Sequence, residues 1–328
     1  MGTPDFAVAP LRALVEAGWN VVGVVTAPDK PSGRGLHLQA SPIKNYAVQK
    51  GLPLLQPTNL KDPNFQRELA QWQADLQVVV AFRMLPEAVW DMPPLGSINL
   101  HASLLPAYRG AAPIHRAVMN GETGTGLTTF LLRHAIDTGD LLDQVRLPIG
   151  PDETTGELHD RMMVLGAELV CQSVEKISKG LTSGQPQPQG GNYPSAPKIF
   201  REDCQVDWNR SAKDLHNVVR GLSPSPAAWT TWQGKTLKIY RSCLPAEPIP
   251  DPALLHRSRL LTDPEQKSAW INIEKDMVAV EQAQPGACLL MGNRWLYKTA
   301  EGWLEILELQ PEGRKRMAAS ALIQGLQQ

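Results

Sequence analysis

LQVVVAFRMLPEAVWDMPPLGSINLHASLLP, residues 76–106, decides the fold. LQVVVAF (76–82) is a continuous apolar run, the pattern of a parallel strand covered on both faces. SINLH (97–101) reads as a second strand, and it ends in polar rather than apolar residues. Working outward, VVGVVT (21–26) repeats the continuous apolar pattern and GLTTFLL (126–132) supplies another strand. PDFAVAPLRALVEAG and SPIKNYAVQKG read as helices, each ended by glycine. A longer helix is expected from about Thr154 to Gly180, with Leu158, Met162, Leu165, Leu169 and Ile177 forming its apolar stripe. Strands alternating with helices imply an α/β fold, a Rossmann-like, doubly wound and mainly parallel sheet.

SGQPQPQGGNYPS (183–195) is Pro, Gly and Gln with almost no apolar content, and it reads as a linker. Beyond it the pattern becomes one helix (SAKDLHNVVRGLS) and short strands such as TLKIYRSC, GACLLMG and WLEILELQ, which suggests a small β-barrel. The expected division is therefore 1–182, a linker at 183–205, and 206–328.

Composition narrows the classes. With 42% hydrophobic and 20% charged residues the chain is ordinary soluble globular protein. A net charge of −1 gives no global basic field for nucleic acid, although a local patch is compatible with it. Cys171, Cys204, Cys243 and Cys288 are far apart and form no C-x-x-C pair. That speaks against a zinc site or disulfide framework and for a reducing, cytoplasmic setting. The seven histidines are scattered without ligand spacing, so no metal is expected. No apolar run approaches the ~18 residues of a membrane span, and no membrane role is expected.

The chemistry lies at the end of SINLH. Open α/β sheets bind ligands beyond the carboxyl ends of their strands. Asn99 and His101 stand two apart there, which puts both side chains on one face. An amide donor beside an imidazole can hold the oxyanion of an acyl transfer. Asp137, in the loop after GLTTFLL, is the candidate carboxylate to hold the imidazolium and help move protons. No Ser or Cys is placed as a nucleophile with a base partner, so direct attack by an amine is the simpler route. Each signal has a structural reading when taken alone; their order within about forty residues joins them. MGTPDF lacks the G-x-G-x-x-G of a dinucleotide site, and Asp137-Thr138-Gly139 lacks the second carboxylate motif of an aspartic protease. A non-catalytic RNA-binding module would account for a barrel but not for these three residues.

The stretch Asn99–Asp140 resembles the 10-formyltetrahydrofolate-dependent formyltransferase family, in which Asn-x-His, Ser-Leu-Leu-Pro and Asp-x-Gly elements form the active site. The resemblance puts Asn99, His101 and Asp137 on the catalytic positions. It puts Ser103, Leu104, Leu105 and Pro106 on the folate-contacting turn. AFRMLPEAVW (81–90), with Phe82, Met84 and Leu85, is similar to the loop bordering the pteridine pocket. GTPDFAV (2–8), PDKPSGRGLHLQASPIK (28–44), APKIFREDCQVDW (196–208) and LHNVVRGLSPSPAAW (215–229) resemble the branch that formylates initiator methionyl-tRNA. The rivals are siblings acting on a nucleotide sugar and a hydrolase releasing formate; both lack a match to the C-terminal segments.

From this resemblance follow 10-formyltetrahydrofolate as formyl donor, an OB-like second domain that holds the tRNA, and action as a monomer. Arg34, in a Gly-Arg-Gly tract, falls on the tRNA-contacting position, while Leu36 and His37 stand where the family often has lysines. Arg314, Lys315 and Arg316 form a basic run that suits either RNA backbone or solvent. The family also has an apolar strand immediately before Gly-Thr-Pro, where this chain has only Met1. That strand would be central in the sheet, and the expectation is that it is encoded just upstream, the alternative being a truncated chain that folds poorly.

Overall fold

The computed structural model describes residues 1–32, 37–246, 249, 258–261, 271–272 and 280–327. They fall into two compact units: 1–113, 124–148 and 158–197 in the first, and 114–123, 149–157 and 198–328 in the second.

The first unit opens with α1 (Asp5–Glu16), β1 (Val24–Val25) and an antiparallel pair, β2 (Lys30–Ser32) with β3 (His37–Gln39). Then come α2 (Pro42–Gln49), β4 (Leu54–Leu55), α3 (Pro63–Gln71), β5 (Gln77–Val80), α4 (Glu87–Trp90), β6 (Ser97–His101) and β7 (Arg109–Gly110). Beyond α5 (Pro113–Met119), which but for Pro113 belongs to the second unit, follow β8 (Gly124–Leu131), β9 (Leu141–Pro148), α6 (Thr155–Ser178), in this unit from Leu158 on, and β10 (Ser195–Ala196). Ser41 and Asp62, each followed by proline, cap α2 and α3 by accepting from the Lys44 and Asn64 amides. Of the expected stripe on α6, Leu158, Met162, Leu169 and Ile177 are buried and Leu165 is half-buried.

β5 and β6 pair in parallel, but β8 joins β6 antiparallel and β9 joins β8 antiparallel. β1 pairs in parallel only with β4. The sheet is thus parallel at its start and antiparallel beyond β6. Of the expected strand VVGVVT only Val24–Val25 is a strand. Met1 and Gly2 sit between β1 and β5. The Gly2 amide donates to Val25 O (3.1 Å), the Val80 amide to Met1 O (2.9 Å), and the Met1 amine to Val78 O (2.6 Å). Beside them lies a cavity of about 560 Å³ lined by Leu11, Leu14, Val22, Trp72 and Val78 among others. Burial holds the Met1 amine down at about 5, from an ordinary 8.0.

The stretch expected to be a linker is built into this unit up to Pro197. Gln185 and Leu141 exchange backbone hydrogen bonds of 2.8 and 2.7 Å, the Tyr108 amide donates to Pro194 O (2.6 Å), and β10 pairs in parallel with β7. Composition signalled a linker because proline and glutamine carry no periodicity. Here they hold the chain through backbone bonds instead.

The second unit has α7 (Ala212–Leu222) on an antiparallel sheet. Its strands are β11 (Ala228–Trp232), β12 (Lys235–Cys243), β13 (Ser258–Leu261), β14 (Ile271–Asn272), β15 (Cys288–Met291), β16 (Arg294–Lys298), β17 (Trp303–Pro311) and β18 (Met317–Ala318). They run in the order β11-β12-β17-β16-β15-β13-β14, with β18 on β17, and curl into a half-barrel, with register shifts in β12. Leu215, Val219, Leu237, Trp295 and Ile306 centre one apolar cluster, and Leu260, Leu289 and Leu296 another.

Candidate active site

β6 carries the first two groups. Its paired neighbours β5 and β8 fix its register, with Val79 and Phe130 flanking Asn99 and Thr128 opposite His101. Ile98 and Leu100 point to the other face and are buried; Leu100 meets α6 at Gly166, where a Cβ would come within 2.8 Å of it. Asn99 and His101 therefore share the opposite face. His101 is 6% exposed and stands edge-on to Phe130, the ring centres 6.5 Å apart. Asn99 is half-buried, and its side-chain amide has no hydrogen-bond partner among the described residues.

His101 Nε2 lies 2.8 Å from Tyr108 O. A carbonyl can only accept, so Nε2 carries the proton and Nδ1 is the nitrogen left for chemistry. Nδ1 faces Asp137 Oδ2 at 3.8 Å, longer than a hydrogen bond but close enough to steady an imidazolium. The same Oδ2 accepts the Gly110 amide at 2.9 Å. Two unusual backbone positions set this up. Asp137 is left-handed, with φ +54°, and Gly110 has φ +127° with Ala196 O so near that a Cβ would come within 2.4 Å of it. Only glycine fits there. At Gly139 a Cβ would lie 1.5 Å from Leu131 O, so the turn after Asp137 hugs β8.

The Ser103–Pro106 turn leaves β6 beside these groups and is held from within. Ser103 Oγ donates to Ala107 O (2.6 Å), and Thr128 Oγ1 donates to Ser103 O (2.7 Å) while accepting from the Leu105 amide (3.1 Å). Gln144 Nε2 donates to Leu105 O (3.0 Å) and to Thr128 Oγ1 (2.9 Å). Ser103 and Leu105 are buried; Leu104 and Pro106 keep part of their surface. The Ser103 hydroxyl is thus engaged in shaping the turn.

The loop after β5 neighbours this turn because β5 and β6 are paired. Phe82 is half-buried, Met84 is 72% exposed, and Leu85 is buried in the core with Val79 and Val89. Arg83 anchors the loop by donating to Thr58 O and Pro57 O. Phe82 and Met84 offer apolar surface, whereas Leu85 faces the core.

Arg34 lies outside the described residues. In the second unit Arg316 is paired with Glu308 and stacked on Tyr240, so part of the 314–316 run is held by the protein itself. Reading the sequence did not single out Tyr108, Arg109, Gly110, Thr128, Gln144 or Gln187. Gly110 had a signal in the Arg-Gly pair after the turn; Gln187 had none. Among the described residues no three His, Cys, Asp or Glu side chains cluster as metal ligands, and no helix is long and apolar enough to cross a membrane.

A family model described as formyl transferase matches residues 1–174, and one described as the formyl transferase C-terminal domain matches 198–327. A methionyl-tRNA formyltransferase of Bacteroides fragilis is 45% identical over 331 residues, covering 99% of this chain and 93% of that one. One of Porphyromonas gingivalis is 45% identical over 334 residues, covering 99% and 94%. One of Parabacteroides distasonis is 56% identical over 252 residues, covering 74% and 78%. Among solved structures, the sugar 3N-formyl transferase WlaRD, crystallised in the presence of dTDP and 5-N-formyl-THF, superposes with a TM-score of 0.63 at 16% identity, covering 96% and 97%. HypX from Aquifex aeolicus in complex with tetrahydrofolic acid gives 0.56 at 17%, covering 85% and 43%. At those identities the likeness is one of fold.

Proposed function

The chain belongs to the formyl transferase family, and we propose that it transfers a formyl group from 10-formyltetrahydrofolate to the α-amine of initiator methionyl-tRNA. The observation that carries this reading is the set of three groups at the end of β6. They are an Asn99 amide with no hydrogen-bond partner among the described residues, a His101 imidazole whose Nε2 is held by Tyr108 O, and the Asp137 carboxylate 3.8 Å from His101 Nδ1.

These residues match what amine formylation requires. As the amine attacks the formyl carbon, charge develops on the formyl oxygen. Asn99 donates its side-chain N–H to that oxyanion. His101 Nδ1 takes the proton the attacking amine must lose, and Asp137 steadies the resulting imidazolium. The same nitrogen returns the proton to the departing folate nitrogen. No covalent enzyme intermediate is needed.

Phe82, Met84, Leu104 and Pro106 give the flat donor ring an apolar bed, and the Ser103–Pro106 backbone borders it. Support for the fit is that Ser103, Thr128 and Gln144 use their polar groups to fix this turn before any ligand arrives. Arg34 contacts the acceptor arm of the tRNA, and residues 206–328 hold its body. The enzyme acts as a cytoplasmic monomer without a metal.

Competition tests the acceptor. With formyl-labelled donor, initiator methionyl-tRNA and a nucleotide-linked amino sugar supplied together, label enters the tRNA. Label in the sugar, or released as formate, would assign the chain to one of its siblings.

A further inference from the structure

The turn that presents Asp137 is held by a side chain from a distant part of the chain. Gln187 is 6% exposed, and both N–H groups of its side-chain amide are directed at this turn. Its Nε2 donates to Asp137 O (2.9 Å) and Gly139 O (2.8 Å). Its Oε1 accepts from Arg109 Nε (3.2 Å) and from Arg109 Nη2. Arg109 Nε also donates to Asp137 O at 2.9 Å, filling that carbonyl's second lone pair.

The turn needs such a hold. Asp137 sits in a left-handed conformation that a non-glycine residue keeps only when its surroundings impose it. On the outer side His134, Ala135 and Ile136 are exposed, and the holds there are peripheral: His134 stands edge-on to Trp90 (6.4 Å) with Nδ1 3.5 Å from Glu87, and Thr138 Oγ1 donates to Ala135 O (2.9 Å). Arg109 immediately precedes Gly110, whose amide binds the Asp137 carboxylate, and immediately follows Tyr108, whose carbonyl binds His101. Gln187 itself is fixed on both sides, by the Gln185–Leu141 bonds and by the β10–β7 pairing.

We propose that Gln187, acting with Arg109, is a positioning residue for the reaction: it sets where the Asp137 carboxylate stands relative to His101. This rests on the reading of Asp137 as a working group. A shift of about 1 Å in a reacting constellation can lower turnover by about 10²-fold. Gln187→Ala removes both donors to the turn. Gln187→Glu keeps the shape and the acceptor for Arg109 while replacing the donors with carboxylate oxygen, so it separates positioning from folding.

The experiment is a double-mutant cycle on purified full-length chains, read as kcat for formyl transfer, with KM values and Tm measured alongside. Gln187→Ala and Gln187→Glu should each lower kcat by about 10- to 100-fold, with both KM values within about threefold of the parent. In an Asp137→Asn background the same substitutions should lower kcat by less than about threefold, because Gln187 acts only through Asp137. Equal losses in both backgrounds, or a normal kcat in a folded Gln187→Glu enzyme, would overturn the proposal. If Asp137→Asn alone leaves kcat unchanged, the reading of Asp137 fails instead.

Discussion

A chain that starts at Met1 should lose stability on mild acidification for a reason that can be isolated. Its terminal amine donates to Val78 O between β1 and β5, and burial holds its pKa near 5 against 8.0 in the unfolded chain. Between those values the unfolded chain binds a proton that the folded chain does not, so stability rises with pH through this window. Integrating the linkage, the cost of keeping the amine neutral is small at pH 8, about 1 kcal/mol at pH 7 and about 4 kcal/mol at pH 5. About 3 kcal/mol should therefore disappear between pH 8 and 5 from this group alone. Other groups titrate over the same range, so the assay compares the free amine with an N-acetylated chain. The acetyl amide still donates to Val78 O, carries no charge at any pH, and has the neighbouring cavity of about 560 Å³ to enter. Urea unfolding of both at pH 8, 7, 6 and 5 should give curves that diverge by about 3 kcal/mol at the acid end, the acetylated chain being the more stable. Parallel curves, differing by a constant within about 0.5 kcal/mol, would mean that the amine reaches water in solution and that β1 and β5 are not bridged as described.

Asn99→Ala should leave Tm and folate affinity close to the parent, because its amide has no protein partner among the described residues; a large Tm loss by calorimetry would give Asn99 a structural role instead. Gly139→Ala should destabilise by more than about 2 kcal/mol in denaturant titration, since its Cβ would lie 1.5 Å from Leu131 O, and a neutral result would refute that close approach. Arg34→Ala should weaken tRNA binding and flatten its salt dependence by about one phosphate contact with folate affinity unchanged; a parallel loss of both affinities would make Arg34 structural.

How much could be read in advance varies by element. SINLH was legible because its apolar positions alternate inside a covered sheet, and its bounds, Ser97–His101, are those of β6. VVGVVT carried an equally strong pattern, yet only Val24–Val25 pairs as a strand. A strand needs partners as well as propensity: β4 offers two residues on one side, Met1 and Gly2 only a short stretch on the other, and Trp72 crowds Gly23. The turn from parallel to antiparallel after β6 was hidden because strands covered on both faces look alike whatever their direction. Asn99, His101 and Asp137 were visible as polar residues at strand ends. Gln187 and Arg109 were not, because they act on backbone carbonyls brought near by chain path, and carbonyls leave no trace in residue identity.

Single-turnover formyl transfer to initiator methionyl-tRNA, measured by rapid quench for the parent and for Asn99→Ala, His101→Ala, Asp137→Ala and the triple variant, tests the three groups together. One unit of chemistry predicts that each single change slows transfer by about 10²- to 10³-fold and that the triple variant is little slower than the worst single one. Losses that multiply across the three positions, or a folded single variant transferring at the parent's rate, would contradict it.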